Sequence, residues 1–247
     1  MILTSQKTMY ADNLEMNMLL GINQIDLPNT TLNEKFNVLP SQTIANGVYP
    51  KIQYLAIGVG GTDIIANANY KFSNHSPIDA ALFEHIPFIM RPTTNDLLPV
   101  ERANYRLRVL ETHNGIEYAC YYLKVITTVI NKQGLFEIDI INGNPSMRYF
   151  NTNSINLLTP TPRIVADNYL DITKNTYYAK TTKIGFTLYI NEMEEINNVL
   201  TIIYGDTTRS ISEIGVCTGI ENILPDKSIE AVNVTSSLHF ALCGLSI

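Results

Sequence analysis

The stretch Tyr105-Arg106-Leu107-Arg108-Val109-Leu110-Glu111-Thr112-His113-Asn114-Gly115-Ile116-Glu117-Tyr118-Ala119-Cys120-Tyr121-Tyr122-Leu123-Lys124-Val125 decides the fold class. Asn-Gly is the pair favoured by a type I′ turn, because both central residues take positive φ and the turn's twist matches that of two paired strands. Before the turn, Tyr105, Leu107 and Val109 alternate with Arg106, Arg108 and Leu110, the pattern of a half-exposed strand with its arginines outside. After it, residues 116–128 are rich in Tyr, Val and Ile, which suit a pleated, partly buried surface. The stretch predicts a β-hairpin.

Downstream, Asn131-Lys132-Gln133-Gly134 predicts a second reversal. Leu135, Glu137 and Asp139 then alternate against Phe136, Ile138 and Ile140 as a third strand of one meander, which Asn142-Gly143-Asn144-Pro145 closes. A turn-rich stretch with Pro160 and Pro162 predicts a long surface excursion to about residue 168. Ile184, Phe186, Leu188 and Ile190 alternate as a further strand, Glu192 to Ile196 suits one helical turn, and the apolar run at residues 199–204 reads as a core strand. Residues 211–218 and 232–245 are the last two strands, joined around Pro225-Asp226.

Upstream, residues 48–59 read as a strand buried on most of both faces. Ser76-Pro77-Ile78-Asp79 combines an N-cap, a proline at the first helical position and an acid three residues after the cap, so a two-turn helix is expected to run from there to Pro87. Pro99-Val100-Glu101-Arg102 suits one more turn. Eight or more short strands with few long helices predict a mainly β chain: a β-sandwich or jelly-roll-like domain with short helical insertions over residues 47–247. Residues 1–46 read as an extended N-terminal arm that wraps a partner, or as a ragged terminus whose one short helix packs on its own domain.

The chain has 247 residues and 27.7 kDa, enough to bury a core without disulfide or metal support. Only 16% of residues are charged, against roughly 25% in an average soluble domain, so much of the surface is neutral Asn, Thr and Ser. A net charge of -6 and a pI near 5.2 disfavour nucleic-acid binding, which needs clustered Lys and Arg. Cys120, Cys217 and Cys243 form no CxxC pair, and a reducing compartment is the simplest expectation. The opening residues lack the basic and apolar regions of a signal peptide, and no run of about 18 apolar residues predicts a membrane-spanning helix.

No constellation specifies a reaction. Gly58-Val59-Gly60-Gly61 follows a strand, yet Asp63 stands where a dinucleotide fingerprint needs a small residue, and no helix pattern follows; a glycine loop that allows positive φ or close approach by a neighbouring chain is the better reading. His75, His85 and His113 fit no metal-ligand spacing, and no GxSxG elbow occurs. Asp167 with Asp171 and Glu194 with Glu195 read as solvated acids, and the absence of Trp argues against sugar stacking. No cofactor, metal or catalytic residue is therefore expected. The one basic concentration is Arg102, Arg106 and Arg108, with Arg91 shortly before; it is expected to pair with acids of an adjacent subunit, ahead of a phosphate backbone, or to be neutralised within the fold.

Residues 74–92, continuing through Asn95-Asp96-Leu97 to Arg102, Arg106 and Arg108, resemble a block found in virion structural proteins of tailed bacteriophages; the likeness spans roughly residues 57–125. The Asn-rich, Trp-free composition is similar to that of crAss-like phages, among which the chain resembles a neck or tail ring protein, a portal-vertex adaptor. Ile211-Ser212-Glu213-Ile214-Gly215-Val216, with Leu238-His239-Phe240, resembles the paired terminal strands of phage tail components. The resemblance implies a structural, non-enzymatic part of the virion, made in the host bacterial cytoplasm. It implies a closed ring, typically of twelve or six copies, against adjacent portal, ring or tail proteins, with genomic DNA passing through and no membrane contact. Acidic side chains lining such a ring would let DNA slide past. Two other expectations stay open: a receptor- or capsid-binding decoration module using Tyr118, Tyr121 and Tyr122, and a β-sandwich hydrolase using Asp139, Asp167 and Asp171.

Overall fold

The computed structural model describes residues 3–22, 24–26, 41–43, 50–65, 69–126, 130–142, 144–149, 176–184, 188–205, 209–223 and 229–242. The chain divides into two compact units, Met1–Thr127 with Leu188–Ile247, and Thr128–Thr187. In chain order the elements are β1 (Leu3–Lys7), α1 (Met9–Leu19), β2 (Gln24–Asp26), β3 (Ser41–Thr43), β4 (Lys51–Gly58), β5 (Thr62–Ile65), β6 (Asn69–Phe72), β7 (His85–Ile86) and β8 (Ile89–Pro92). There follow a short 3₁₀ turn (Thr93–Asn95), α2 (Pro99–Arg102), β9 (Tyr105–His113), β10 (Ile116–Val125), β11 (Ile130–Ile141), β12 (Asn144–Tyr149), β13 (Thr176–Ile184), α3 (Ile190–Tyr204), β14 (Glu213–Ile223) and β15 (Ile229–Leu242). The molecule is mainly β with short helical insertions, as its strand spacing predicts.

The first unit is built on one antiparallel sheet whose strands run β1-β15-β14-β4-β10, with β9 on the far edge of β10. β4 meets β10 directly only where Tyr54 and Leu55 face Val125 and Lys124. Beyond that point the two strands diverge, and β7 on β4 and β8 on β10 fill the wedge. β15 and β9 lie four places apart along this order yet come within 8 Å, so the sheet curls. Tyr54 and Ala56 of β4, Leu123 of β10, Cys217 of β14 and Leu82 form a core cluster, with Leu107 and Val125 against it.

The hairpin forms in the expected register, Ile116 facing His113, with Asn114 at φ 52° and Gly115 at φ 78°. Residues 118–123 are buried on both faces, which makes β10 the centre of the fold. Of residues 1–46, β1 pairs with β15 from Leu3↔Leu242 to Lys7↔Leu238, α1 docks beside it, and β2 pairs with β3. The boundary expected at residues 46 and 47 lies outside the described residues.

Four expectations are corrected. The alternating run at residues 184–190 is not one strand, because β13 ends at Ile184, Tyr189 caps α3 and Ile190 is already helical. The run at residues 199–204 is the second half of helix α3. Ile196, Val199 and Leu200 are fully buried at helical spacing, Glu192 Oε2 accepts from Tyr189 N at 2.9 Å, and Gly205 ends the helix at φ 71°. Residues 76–84 form turns instead of a helix, and His85–Ile86 pair with β4 as β7. Asp79 does bind back to Ser76 N, but the Phe83 and Glu84 amides, which a helix would direct to its own carbonyls, donate to Glu213 instead. The third meander strand, β11, does not pair with β10. It is the middle strand of the second unit, β12-β11-β13, and the expected reversal at Asn131 to Gly134 is a register shift between Lys132 and Gly134.

Candidate functional site

Three clusters of ionisable groups stand in the first unit. The innermost surrounds Glu213, at the start of β14, whose side chain has no solvent exposure. Its Oε2 accepts from Gly60 N at 2.8 Å and Glu84 N at 3.2 Å, and its Oε1 from Phe83 N at 3.0 Å. His75 Nε2 lies 2.8 Å from Oε1, and His75 Nδ1 lies 3.3 Å from Asp79 Oδ2. The His75 ring stacks on Phe83 at 4.1 Å and 7°. Burial pushes the Glu213 pKa upward, but the bonds from His75, Phe83, Glu84 and Gly60 together outweigh it and hold the carboxyl below its ordinary value.

The same carboxylate explains the glycine-rich loop. A Cβ on Gly58 would lie 2.6 Å from Glu213 Oε2, and one on Gly61 would lie 2.5 Å from Ser212 O. The glycines let the backbone close around a side chain of the same molecule. The close approach at these glycines is made by Glu213 and Ser212 of the same chain.

The second cluster gathers two of the three arginines singled out from sequence. Asp96 Oδ2 accepts from Arg102 Nη2 at 2.8 Å and from Arg108 Nη2 at 2.8 Å, while its Oδ1 accepts from Tyr121 Oη at 2.7 Å. Burial raises the Asp96 pKa, but the Tyr121 and Arg108 bonds and the Leu97 amide outweigh it and hold the carboxyl below its ordinary value. Tyr121 is pushed up to about 12, first by its burial and then by Asp96. Arg106 goes elsewhere. Leu107 takes φ 51°, which breaks the strand's alternation, and Arg106 turns inward, 6% exposed. Its Nε reaches Glu221 Oε1 of β14 at 2.9 Å, an oxygen that also accepts from Tyr54 Oη at 3.1 Å. Arg102, Arg106 and Arg108 therefore share no common face, and each has an acid of its own fold.

The third cluster lines a cleft of about 330 Å³ between β8, α2, β10 and the start of α3. Arg91 Nη2 bonds Glu195 Oε1 at 2.5 Å, and Glu192 accepts from Lys124 and from Tyr105 Oη, the latter at 2.8 Å. Burial opposes the ionisation of Glu192, but Lys124, the Tyr189 amide and the Tyr105 hydroxyl together hold its pKa below the ordinary value. Leu98, Val100, Tyr189 and Ile190, all exposed, come from the two segments that carry its wall residues Leu97, Glu101 and Asn191.

The other singled-out residues scatter. His85 Nε2 lies 3.0 Å from Tyr122 O, and His113 Nε2 lies 3.2 Å from Glu111. Among the described residues no group of three or more His, Cys, Asp or Glu is placed to hold a metal ion. Tyr118, Tyr121 and Tyr122 are buried in β10, and the Tyr122 hydroxyl donates to Glu111, so these rings line no outward aromatic site. Cys120 and Cys217 are buried. Asp167, Asp171 and Cys243 lie outside the described residues, and Asp139 belongs to the second unit. No described helix is long and apolar enough to cross a membrane. Sequence reading passed over Glu213, Asp96 and Glu192. A lone acid inside the apolar run of residues 211–217 was the available signal for the first.

The chain belongs to a family of unknown function (DUF7208), whose model matches residues 2–235. No curated protein and no solved structure matches it.

Proposed function

We infer that this family member is a structural subunit of a phage virion: a neck or tail protein that forms a closed ring with its own copies, connects the portal to the tail and lines the DNA passage. One contrast carries the assembly part of this reading. Arg91, Arg102, Arg106, Arg108 and Arg209 and the buried acids Glu192 and Glu213 bond within the chain, while Leu19, Val100 and Ile190 are each more than four-fifths exposed. Large apolar side chains grouped in one exposed region mark surfaces that a partner covers, whereas single ones are ordinary. Met16, Leu20 and Ile22 extend the exposed group at the end of α1, and Leu98 and Tyr189 extend that at the cleft. Two separate apolar regions on one subunit suit a ring, where each copy presents a different face to each neighbour.

The phage assignment is supported by the likeness of residues 57–125 to virion proteins, and the acidic net charge suits a channel wall that does not bind DNA. The partners in this reading are further copies, in twelves or sixes, and the adjoining portal, ring or tail proteins; the site of action is the virion, after assembly in the host cytoplasm. Native mass spectrometry of the purified chain tests it. A single closed oligomer is expected, and a monomer at every concentration would contradict it.

A further inference from the structure

The bonds around Glu213 continue, residue by residue, to the N-terminal helix. Through His75 the carboxylate faces Asp79, whose Oδ2 accepts from Ser76 N at 2.7 Å while Asp79 N donates back to Ser76 O at 3.1 Å. This exchange shapes the turn on which α1 begins. Met9 N donates to Pro77 O at 2.8 Å, and Tyr10 Oη donates to Ile78 O at 3.1 Å. Phe83 and Glu84 close the far end of the same loop on Glu213, and Phe83 stacks on His75.

Beyond this loop, α1 packs beside β15, and its Asp12 and Glu15 pair with Lys7, both of them at exposed positions. Of its own side chains only Ala11 and Leu14 are buried, whereas Met9, Met16, Met18 and Leu19 are exposed. A segment with so few buried contacts opens at lower free energy than the strands beneath it. Residues 118–123 of β10 and residues 54–58 of β4, by contrast, are buried throughout.

We propose that Glu213, His75 and Asp79 form a conformational latch that decides whether α1 stays docked on the sheet. Engaged, the latch sets the turn at residues 76–79 where the first turn of α1 can bond to it. Released, the loop at residues 75–84 relaxes and α1 undocks, while β4, β10 and β14 keep their pairing. Glu213 acts here as a positioning residue for a helix it does not touch. The latch does not depend on whether the chain assembles into rings.

Hydrogen exchange on the full chain tests it, comparing the native sequence with Glu213→Gln, which keeps the shape and removes the charge. Amides of residues 9–20 and 76–84 are expected to exchange together, about tenfold faster or more beyond any acceleration at residues 118–123, whose rates follow global unfolding alone. Faster exchange at residues 76–84 with no change at residues 9–20 would overturn the latch, and so would uniform acceleration along the chain. If Glu213→Gln does not fold, Asp79→Asn provides the same readouts, because it leaves Glu213 and its three amide bonds in place. The same two results would overturn the proposal there.

Discussion

Glu213 is a charge without solvent, and the donors around it decide whether that is tolerable. Desolvating a carboxylate costs several kcal/mol, and each hydrogen bond to an ion returns about 1.5–3 kcal/mol, so three amides and a histidine outweigh the penalty where one partner could not. Glu213→Leu strands those donors and is expected to cost about 3–5 kcal/mol in urea unfolding. Gly61→Ala pushes a methyl group against the Ser212 carbonyl, which is backbone and cannot swing aside; a loss of about 1–3 kcal/mol is expected from the same measurement. The pH dependence follows from the direction of the shift. The folded Glu213 pKa lies below its ordinary 4.5, so its stabilisation is complete above that value and is lost as pH falls through the folded pKa. The stability gap between native protein and Glu213→Gln should therefore shrink as pH drops below 4.5. A gap that stays constant down to pH 3 would remove Glu213 from the account.

Elements whose signals are local were legible in the sequence, and those fixed from a distance were not. Asn114-Gly115 specifies its own turn, and the hairpin β9–β10 forms as read. The loop at residues 76–84 carries an equally clear helix start, but Glu213, 129 residues from Glu84, takes the amides that would continue the helix. Nothing near Ser76 announces that. In α3 the apolar run at residues 199–204 was too short to separate strand from buried helix by periodicity, although Gly205 and the spacing of Ile196, Val199 and Leu200 held the answer. Arg106 was read as an outward strand residue, and the positive φ of Leu107, with no glycine to flag it, turned it inward. Gly205 itself yields a prediction. Its φ of 71° with open space around it makes Gly205→Ala a test of backbone strain alone, expected to cost about 1–2 kcal/mol in thermal or urea unfolding.

At the scale of the whole molecule, only 16% of residues are charged, so the surface is ion-poor. The exposed side chains include bulky apolar ones at the end of α1 and in the segments that wall the cleft. Val100→Glu places a charge on a side chain 82% exposed, so the subunit should keep its unfolding midpoint in urea; its oligomer should dissociate at higher protein concentration than the native one. An unchanged oligomer would take this segment out of the interface. Arg102, Arg106 and Arg108, the most conspicuous interface candidates in the sequence, pair with Asp96 and Glu221 of their own chain. The most direct measurement is a reconstruction of the portal vertex of a particle encoding this chain. The account predicts a closed ring of copies around the DNA channel between portal and tail. A vertex map whose every ring is filled by other proteins would contradict it.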